Sequence, residues 1–306
     1  MSGPGGRALK VALATCAELP HLDADEAPLV QALQARAVEV SHPVWDAGDA
    51  PFLDADLSVI RSTWDYTRKA AAFVQWASRI DAARGGRLCN PASVVQWNHH
   101  KRYLLTLAEQ GAAIVPTLYL PAGSRFDLER AVKDAGWQHG VVGKPAVSAG
   151  SRDSIQVAAA DLEKAAPWFH AMLASRDLLV QPFVPGIKAG ELTLIYLEEA
   201  GQLRFAHAVN KVPAQGDFRS QPEFSSTVSR VEPAPAFRLA ADKILGLVQE
   251  PLLYARVDLV AGTDGQPWLM ELELIEPSLY LSWNPPSAER LADAIVARAR
   301  RARGLA

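Results

Sequence analysis

Apolar and polar positions follow two different rhythms along this 306-residue chain. In the first third, apolar runs at residues 9–15, 38–44 and 57–60 read as strands, and the spacing between them turns helical. Asp25 stands where it can cap a helix carrying Leu29 and Leu33 on one face, and Phe73, Ala77 and Ile80 mark a second amphipathic helix. Strand and helix in alternation predict a small parallel sheet with helices packed on it.

A second unit begins near Asn90-Pro91. Asn98 is placed to cap a helix that runs to the stop signal Gly111. Strands are expected at 114–120, 140–144, 155–157 and 178–183, with a helix led by Asp127 and another over 161–174. The last third reads as mostly antiparallel. Strands 192–197 and 203–209 flank Glu199-Ala200-Gly201, and a helix near 234–247 leads to strands 254–260 and 267–275 around Asp264-Gly265, a two-residue hairpin signal. A final helix from Ala288 carries Arg298, Arg300, Arg301 and Arg303, cations that a helix C-terminus favours through its dipole.

That last hairpin carries the most informative charges. Centred on Asp264-Gly265, it sets Asp258 directly opposite Glu271, with Glu273 on the same face by the strand period of two. Three like charges so close destabilise a sheet unless something positive sits among them, and a divalent cation held by oxygen ligands is the economical answer. The plainer alternative is a solvated hairpin face whose register slips by one residue.

Composition narrows the classes. With 49% hydrophobic and 21% charged residues the chain is an ordinary globular sequence, and a net charge of −3 gives no electrostatic reason to expect nucleic acid as a partner. Two cysteines, Cys16 and Cys89, stand in no paired motif, which points to a reducing compartment and away from structural zinc. Residues 1–6 read as a flexible leader; no secretory signal and no apolar stretch of membrane-spanning length is seen, so a cytoplasmic protein without membrane contact is expected. No GxGxxG follows the first strand, which argues against a Rossmann dinucleotide site.

Several further positions carry candidate chemistry. Lys101 falls in the first turn of the helix expected after Asn98, where a cation opposes the dipole and a ligand phosphate would explain it. Lys144 closes an apolar strand ahead of Pro145 and either enters a cleft or snorkels. The small-residue loop with Ser148 and Gly150 can approach phosphates through its backbone N–H groups, or is merely a mobile turn. Around Gln181, Phe183 and Val184 the strand exits through prolines, leaving backbone groups free for an adenine edge; Glu191 is placed for ribose hydroxyls, or is simply a solvated strand start. Lys211 and Arg219 flank a loop, and arginine's planar fork suits a phosphoryl group or a carboxylate.

Taken in order, these features resemble the ATP-grasp superfamily over roughly residues 96–290. Arg61-Ser62-Thr63-Trp64-Asp65-Tyr66, Asn90-Pro91 with Trp97-Asn98, Gly216-Asp217-Phe218-Arg219 and Glu271-Leu272-Glu273-Leu274-Ile275-Glu276-Pro277-Ser278 are similar to its glutathione-synthetase-like group, which includes the D-cycloserine-forming O-ureido-D-serine cyclo-ligase. The resemblance implies a mixed α/β and α+β fold, with a parallel α/β pre-ATP-grasp substrate domain over 1–95 and two α+β subdomains, 96–180 and 181–306, clasping ATP. It implies a carbon–nitrogen ligase that activates a small amino-acid-like carboxylate as an acylphosphate, by ring closure or by joining two molecules. A non-catalytic ATP-binding protein is the alternative from another class.

The implied roles follow residue by residue. Lys101 and Lys144 hold the α- and β-phosphates, beside Ser148, Gly150 and Lys211; Gln181, Phe183 and Val184 meet adenine and Glu191 the ribose. Asp258, Glu271 and Glu273 ligate two Mg2+, with Mn2+ as the substitute ion, and Arg219 stabilises the γ-phosphoryl in flight. Arg61, Ser62, Thr63, Asp65, Glu276 and Ser278 line the substrate pocket. Relatives on this fold are often dimers, so a homodimer is the implied assembly. One departure stands out: where this group has paired glycines after the arginine, the chain has Ser225-Ser226, and serine enters positive-φ conformations less readily.

Overall fold

The computed structural model describes residues 7–305, the side chains of Arg84 and Pro222 excepted; the leader expected to be flexible, residues 1–6, lies outside the described residues. Strands β1 (Lys10–Thr15), β2 (Glu39–Ser41), β3 (Leu57–Ser62) and β4 (Leu88–Cys89) form a parallel sheet in the order β2-β1-β3-β4. Helices α1 (Ala27–Ala35), α2 (Ala50–Asp54) and α3 (Ala70–Arg84) provide the crossovers and layers the alternating pattern predicts. Every residue of β3 is buried, as expected for a parallel strand covered on both faces. Phe73, Ala77 and Ile80 of α3 are buried with Trp45, Phe52 and Trp76, and each such large apolar side chain contributes roughly 1.5–3 kcal/mol.

One cap is different from expectation. Asp23, not Asp25, starts the helical segment: its carboxylate accepts from the Asp25 N–H at 2.9 Å on a short 3-10 turn, Ala24–Glu26, ahead of α1. Asp25 instead accepts the backbone N–H groups of Leu281 and Ser282, each at 3.0 Å. Three acidic residues, Asp23, Asp25 and Glu26, lie within one turn of the helix start, and tertiary contacts take Asp25 and Glu26 away from the cap.

Next come α4 (Ala92–Asn98) and α5 (Tyr103–Glu109), then β5 (Leu118–Leu120), α6 (Leu128–Asp134), β6 (Val141–Pro145), β7 (Ile155–Val157), α7 (Leu162–Leu173) and β8 (Leu178–Pro182). The four strands make an antiparallel sheet in the order β5-β8-β6-β7. Asp127 caps α6 as expected, accepting from Arg130 N–H at 3.0 Å. Asn98 does not cap; it is the last residue of α4, and a turn separates it from α5, so Lys101 lies in that turn and not in a helix. The Asn98 side chain donates to Leu272 O and accepts from Leu274 N–H, both at 2.9 Å, replacing a ladder partner at the edge of another sheet. Helices α4 and α5 therefore pack, through Val94, Leu104 and Leu107, on the sheet that follows, and β8 runs across the division drawn at 180/181.

That sheet is fully antiparallel: β9 (Glu191–Glu199), β10 (Gln202–Val212), β11 (Thr227–Val231), β12 (Tyr254–Ala261) and β13 (Pro267–Glu273) in the order β11-β10-β9-β12-β13, with α8 (Pro235–Leu245) beside it. The closing helix α9 (Pro285–Ala302) packs Leu291 and Ile295 into a core shared with Leu29 and Leu33 of α1 and with Ile195 and Leu197 of β9. Three arginines at its end are structural: Arg298 and Arg301 clamp buried Glu198, and Arg303, just past the helix, pairs with Asp56. The last helix thus fastens the N-terminal sheet to the last one. Among the described residues, no helix is long and apolar enough to cross a membrane.

Candidate active site

The acidic hairpin pairs as expected, by a different route. Its loop is longer than two residues: Ala261 faces Pro267, and Gly262 N–H donates to Gln266 O at 2.8 Å. Continued unchanged, that register would set Asp258 against Met270. A bulge between Asp258 and Leu259 moves the pairing by one residue, and Asp258 faces Glu271. Bulges re-aim side chains in this way beside functional sites.

Cross-strand pairs then assemble a charged band. Lys211 of β10 faces Glu191 of β9, Thr193 of β9 faces Asp258 of β12, and Arg256 of β12 faces Glu273 of β13. Lys211 Nζ lies 2.7 Å from Glu191 and 3.5 Å from Asp258. Thr193 Oγ1 donates to Asp258 at 2.6 Å, and Arg256 binds Asp258 at 2.8 Å while also pairing with Glu273. Farther along one face of these strands, Ile195, Leu197 and Tyr254 return to the apolar core. The sheet face is split, apolar at one end and charged at the other.

These contacts revise the charge argument. The positive group among the carboxylates is first of all Arg256, which lies two residues before Asp258 and was legible from the same period of two. Burial raises the Asp258 carboxyl, but Arg256 and Lys211 outweigh it and hold the group well below the usual carboxylate range. Glu271 is likewise lowered against burial, by Lys101 Nζ at 2.7 Å and by Lys144. Glu273 is pushed up to about 7, by burial and by Glu271 and Asp258, in spite of Arg256. Among the described residues, no group of three or more His, Cys, Asp or Glu side chains forms a ready metal-ligand set. Glu271 and Glu273 fit a hard cation: their side chains stay 28% and 25% exposed to the cavity, and burial with the neighbouring carboxylates still raises Glu273 although Arg256 pairs with it. Asp258, 1% exposed and held by Arg256 and Thr193, has its oxygens occupied.

The cavity these groups face measures about 290 Å3 and lies between the antiparallel β5-β8-β6-β7 sheet and the five-stranded sheet. Lys144 lines it from β6 and, among the described residues, has no carboxylate within ion-pair distance; burial lowers its pKa and Glu271 only partly restores it. A sequestered ammonium without a partner is an anion site in waiting. Lys101 joins it, with Nζ donating to Ser148 O at 2.6 Å. Ser148 and Gly150 lie on the cavity rim; Gly150 (φ 60°) is followed by left-handed Ser151, whose hydroxyl donates to Gln221 at 2.8 Å and so links two loops over the opening.

Behind the lysines the walls turn apolar, with Val115, Val142, Ile187 and Met270 around Phe183 and Val184. Phe183 N–H is not free for a ligand, because it donates to Gly140 O at 3.0 Å. Val184 N–H has no partner among the described residues. Gln181 also lines this end and donates to Thr117 Oγ1 at 2.9 Å. Gly186 is obligatory here: a Cβ on it would sit 2.1 Å from Ala261 O. Glu191 lines the cavity, but Lys211 and the Ser220 hydroxyl take its carboxylate, and burial raises its pKa.

Arg219 reaches the same cavity from the loop after β10. Its guanidinium is held by the Asp217 carboxylate at 2.7 Å and lies 3.6 Å over the Phe224 ring. Those hydrogen bonds pull Asp217 down to about 2. Ser225 adopts φ 61°, so the loop takes a left-handed turn without glycine.

The substrate residues divide. Glu276 and Ser278 line the cavity, but Arg61, Ser62, Thr63 and Asp65 do not. Arg61 is fully buried, bonded to Glu26 at 3.0 Å and to Pro277 O at 2.9 Å. Ser62 Oγ accepts from Asp23 N–H, Asp65 accepts from Trp45 Nε1 at 2.8 Å, and the buried Thr63 hydroxyl has no partner among the described residues. Their strand ends inside the core, where Arg61 ties the N-terminal sheet to Pro277 and Ser62 and Asp65 hold partners within the N-terminal unit. Trp64 and Tyr66, interleaved with them, are the residues that reach the cavity.

Comparison with known proteins places this geometry. Residues 11–90 match the family D-cycloserine synthetase DcsG, N-terminal domain. The cycloserine biosynthesis protein DcsG of Streptomyces lavendulae is 30% identical over 305 residues, covering 94% of this chain and 98% of the relative. The crystal structure of D-cycloserine synthetase DcsG superposes with a TM-score of 0.81 at 28% identity, over 95% of this chain and 99% of that one. The ATP-grasp ligase PsnB, complexed with minimal precursor, Mg and ADP, shares the fold at a TM-score of 0.64 and 16% identity, over 95% and 98% of the two chains. The chain is an ATP-grasp carbon–nitrogen ligase. Within that class it belongs to the DcsG family.

Proposed function

We propose that this ligase transfers the γ-phosphoryl of ATP to the carboxylate of a small amino acid and closes a ring when a nitrogen of the same molecule captures the acylphosphate, as the relationship to a cycloserine biosynthesis protein suggests. The observation that carries the reading is the unpartnered Lys144 beside Lys101 and Glu271, at the meeting point of an apolar slot and an acidic hairpin.

In this reading adenine occupies the slot, with Val184 N–H and Gln181 at its edge and Phe183 in the wall, and Lys101 and Lys144 take the α- and β-phosphates under the Ser148–Gly150 loop. Glu191 turns from Ser220 to the ribose while Lys211 keeps it ionised. Glu271 and Glu273 would hold Mg2+, as two ions, with Mn2+ the substitute; Asp258 would join only if Arg256 releases it. Bound there, the ions neutralise phosphate charge during transfer. Arg219 and Arg256 supply fixed guanidinium charge at the reacting end, the preorganised kind of stabilisation that outweighs other contributions in phosphoryl transfer. Joining substrate atoms within one molecule also avoids the entropy of a second encounter.

The test is a screen of amino-acid-like carboxylates, O-ureido-D-serine included, for ADP and phosphate release with Mg2+. A product lacking any second substrate by mass identifies ring closure, and a joined product identifies intermolecular ligation. ATP binding with silence from every carboxylate would overturn the proposal.

A further inference from the structure

Glu276 occupies a position that the phosphoryl-transfer roles leave unused. Its wall segment is braced from several sides: Trp64 Nε1 donates to Glu276 O at 3.2 Å, Arg61 to Pro277 O at 2.9 Å and Arg256 to Ser278 O at 3.5 Å. Asp25 holds the backbone of Leu281 and Ser282. The Glu276 side chain lines the cavity at 9% exposure for the residue, and among the described residues no other side chain hydrogen-bonds to its carboxyl group. Groups act on it from every neighbouring element: Glu273 and Glu271 from β13, Lys101 from the turn before α5, Tyr66 from the N-terminal unit and Tyr254 from β12. Lys101 supports its negative charge, but burial and two neighbouring carboxylates outweigh that support, so the group is disposed to take up a proton from an uncharged nitrogen brought beside it.

We infer that Glu276 is the general base that takes the proton from the attacking nitrogen as the acylphosphate is captured, an inference that rests on the ligase reading above. The nitrogen lone pair forms the C–N bond, the C–O bond to phosphate breaks with its electron pair leaving on phosphate, and the N–H proton passes to the Glu276 carboxylate and then to water. Burial, and after it Glu273, pushes the Glu276 carboxyl up to about 8, which gives it a basicity that an ordinary carboxylate lacks.

Two half-reactions separate this role from a structural one. With O-ureido-D-serine as probe, exchange of labelled oxygen between the βγ-bridge and non-bridge positions of ATP reports reversible acylphosphate formation, and mass reports the ring product. Glu276→Gln is expected to keep exchange within about threefold of wild type while product formation falls roughly 100-fold or more. Glu276→Ala should recover product formation with added formate, and hydroxylamine, which needs less help from a base, should still trap the acylphosphate in both variants. Parallel loss of exchange and product, or loss of neither, overturns the inference, as does failure of formate to rescue. A wild type that releases no ADP with the probe overturns the cyclo-ligase reading instead.

Discussion

Arg256 faces Glu273 directly across β12 and β13, and the same guanidinium grips Asp258 two residues along its own strand. One cation thus reconciles two neighbouring carboxylates, buried Asp258 and half-buried Glu273, and a third, Glu271, depends on Lys101. The acidic hairpin is stable in itself and sensitive to whatever displaces that guanidinium.

Replacing Arg256 tests this balance. Arg256→Met leaves buried Asp258 and half-buried Glu273 without their partner, and a loss of about 3–5 kcal/mol in urea unfolding is expected, most of it from Asp258. Mg2+ with ATP should raise the melting temperature of the variant by more than that of wild type. Equal shifts would place the metal away from these carboxylates.

Glu271→Gln should abolish turnover and leave the protein folded, because the amide still fills the β13 position but loses its charge toward Lys101 and metal. Circular dichroism and steady-state kinetics together check it. Near-normal turnover would remove Glu271 from the metal set.

Arg219→Ala should lower kcat by roughly 100-fold or more while ATP affinity changes little, since this guanidinium acts on charge that develops in transfer. An equal loss in both would assign Arg219 to ground-state binding.

Ser225 sits at φ 61°, where a Cβ is strained. Ser225→Gly relieves that strain, partly offset by the greater freedom of glycine in the unfolded chain, so a gain of about 0.5–1 kcal/mol is expected. A measured loss would mean that the serine side chain holds the loop.

His207 gives the pH dependence. It is 2% exposed, its Nδ1 shares a hydrogen bond with Ser287 Oγ at 2.9 Å, and burial pushes its pKa down to about 4. The folded state therefore prefers the neutral ring, and the unfolded chain binds the proton first as pH falls. Stability from this group is complete above its unfolded pKa of about 6.5 and declines toward pH 4, by about 3 kcal/mol in all. His207→Gln should flatten that part of the stability profile. An unchanged slope would contradict the assignment.

Much of this fold could be read from residue order, because period-two and helical rhythms are local properties. The α3 face, the Asp127 cap and the hairpin of β9 and β10 are of that kind. The misread positions depend on distant partners. Asn98 looks like a cap until β13 arrives to take its amide, and Asp25 until Leu281 does. Arg61 to Asp65 carry the polar types of a pocket, yet Glu26 and Trp45 claim them. The Asp258 and Glu271 pairing was reached from a turn centre half a residue off, and a bulge compensated. Arg256 was available to the same strand reasoning that found Asp258; Trp64 and Tyr66 became visible only once the N-terminal sheet met the other two.

The central claim is that the carboxylate of a small amino acid receives the γ-phosphoryl group of ATP in this cavity. Turnover of O-ureido-D-serine labelled with 18O in its carboxylate, followed by mass analysis of the released phosphate, addresses it most directly. One labelled oxygen per phosphate is the predicted result; unlabelled phosphate, released at the rate of product formation, would contradict it.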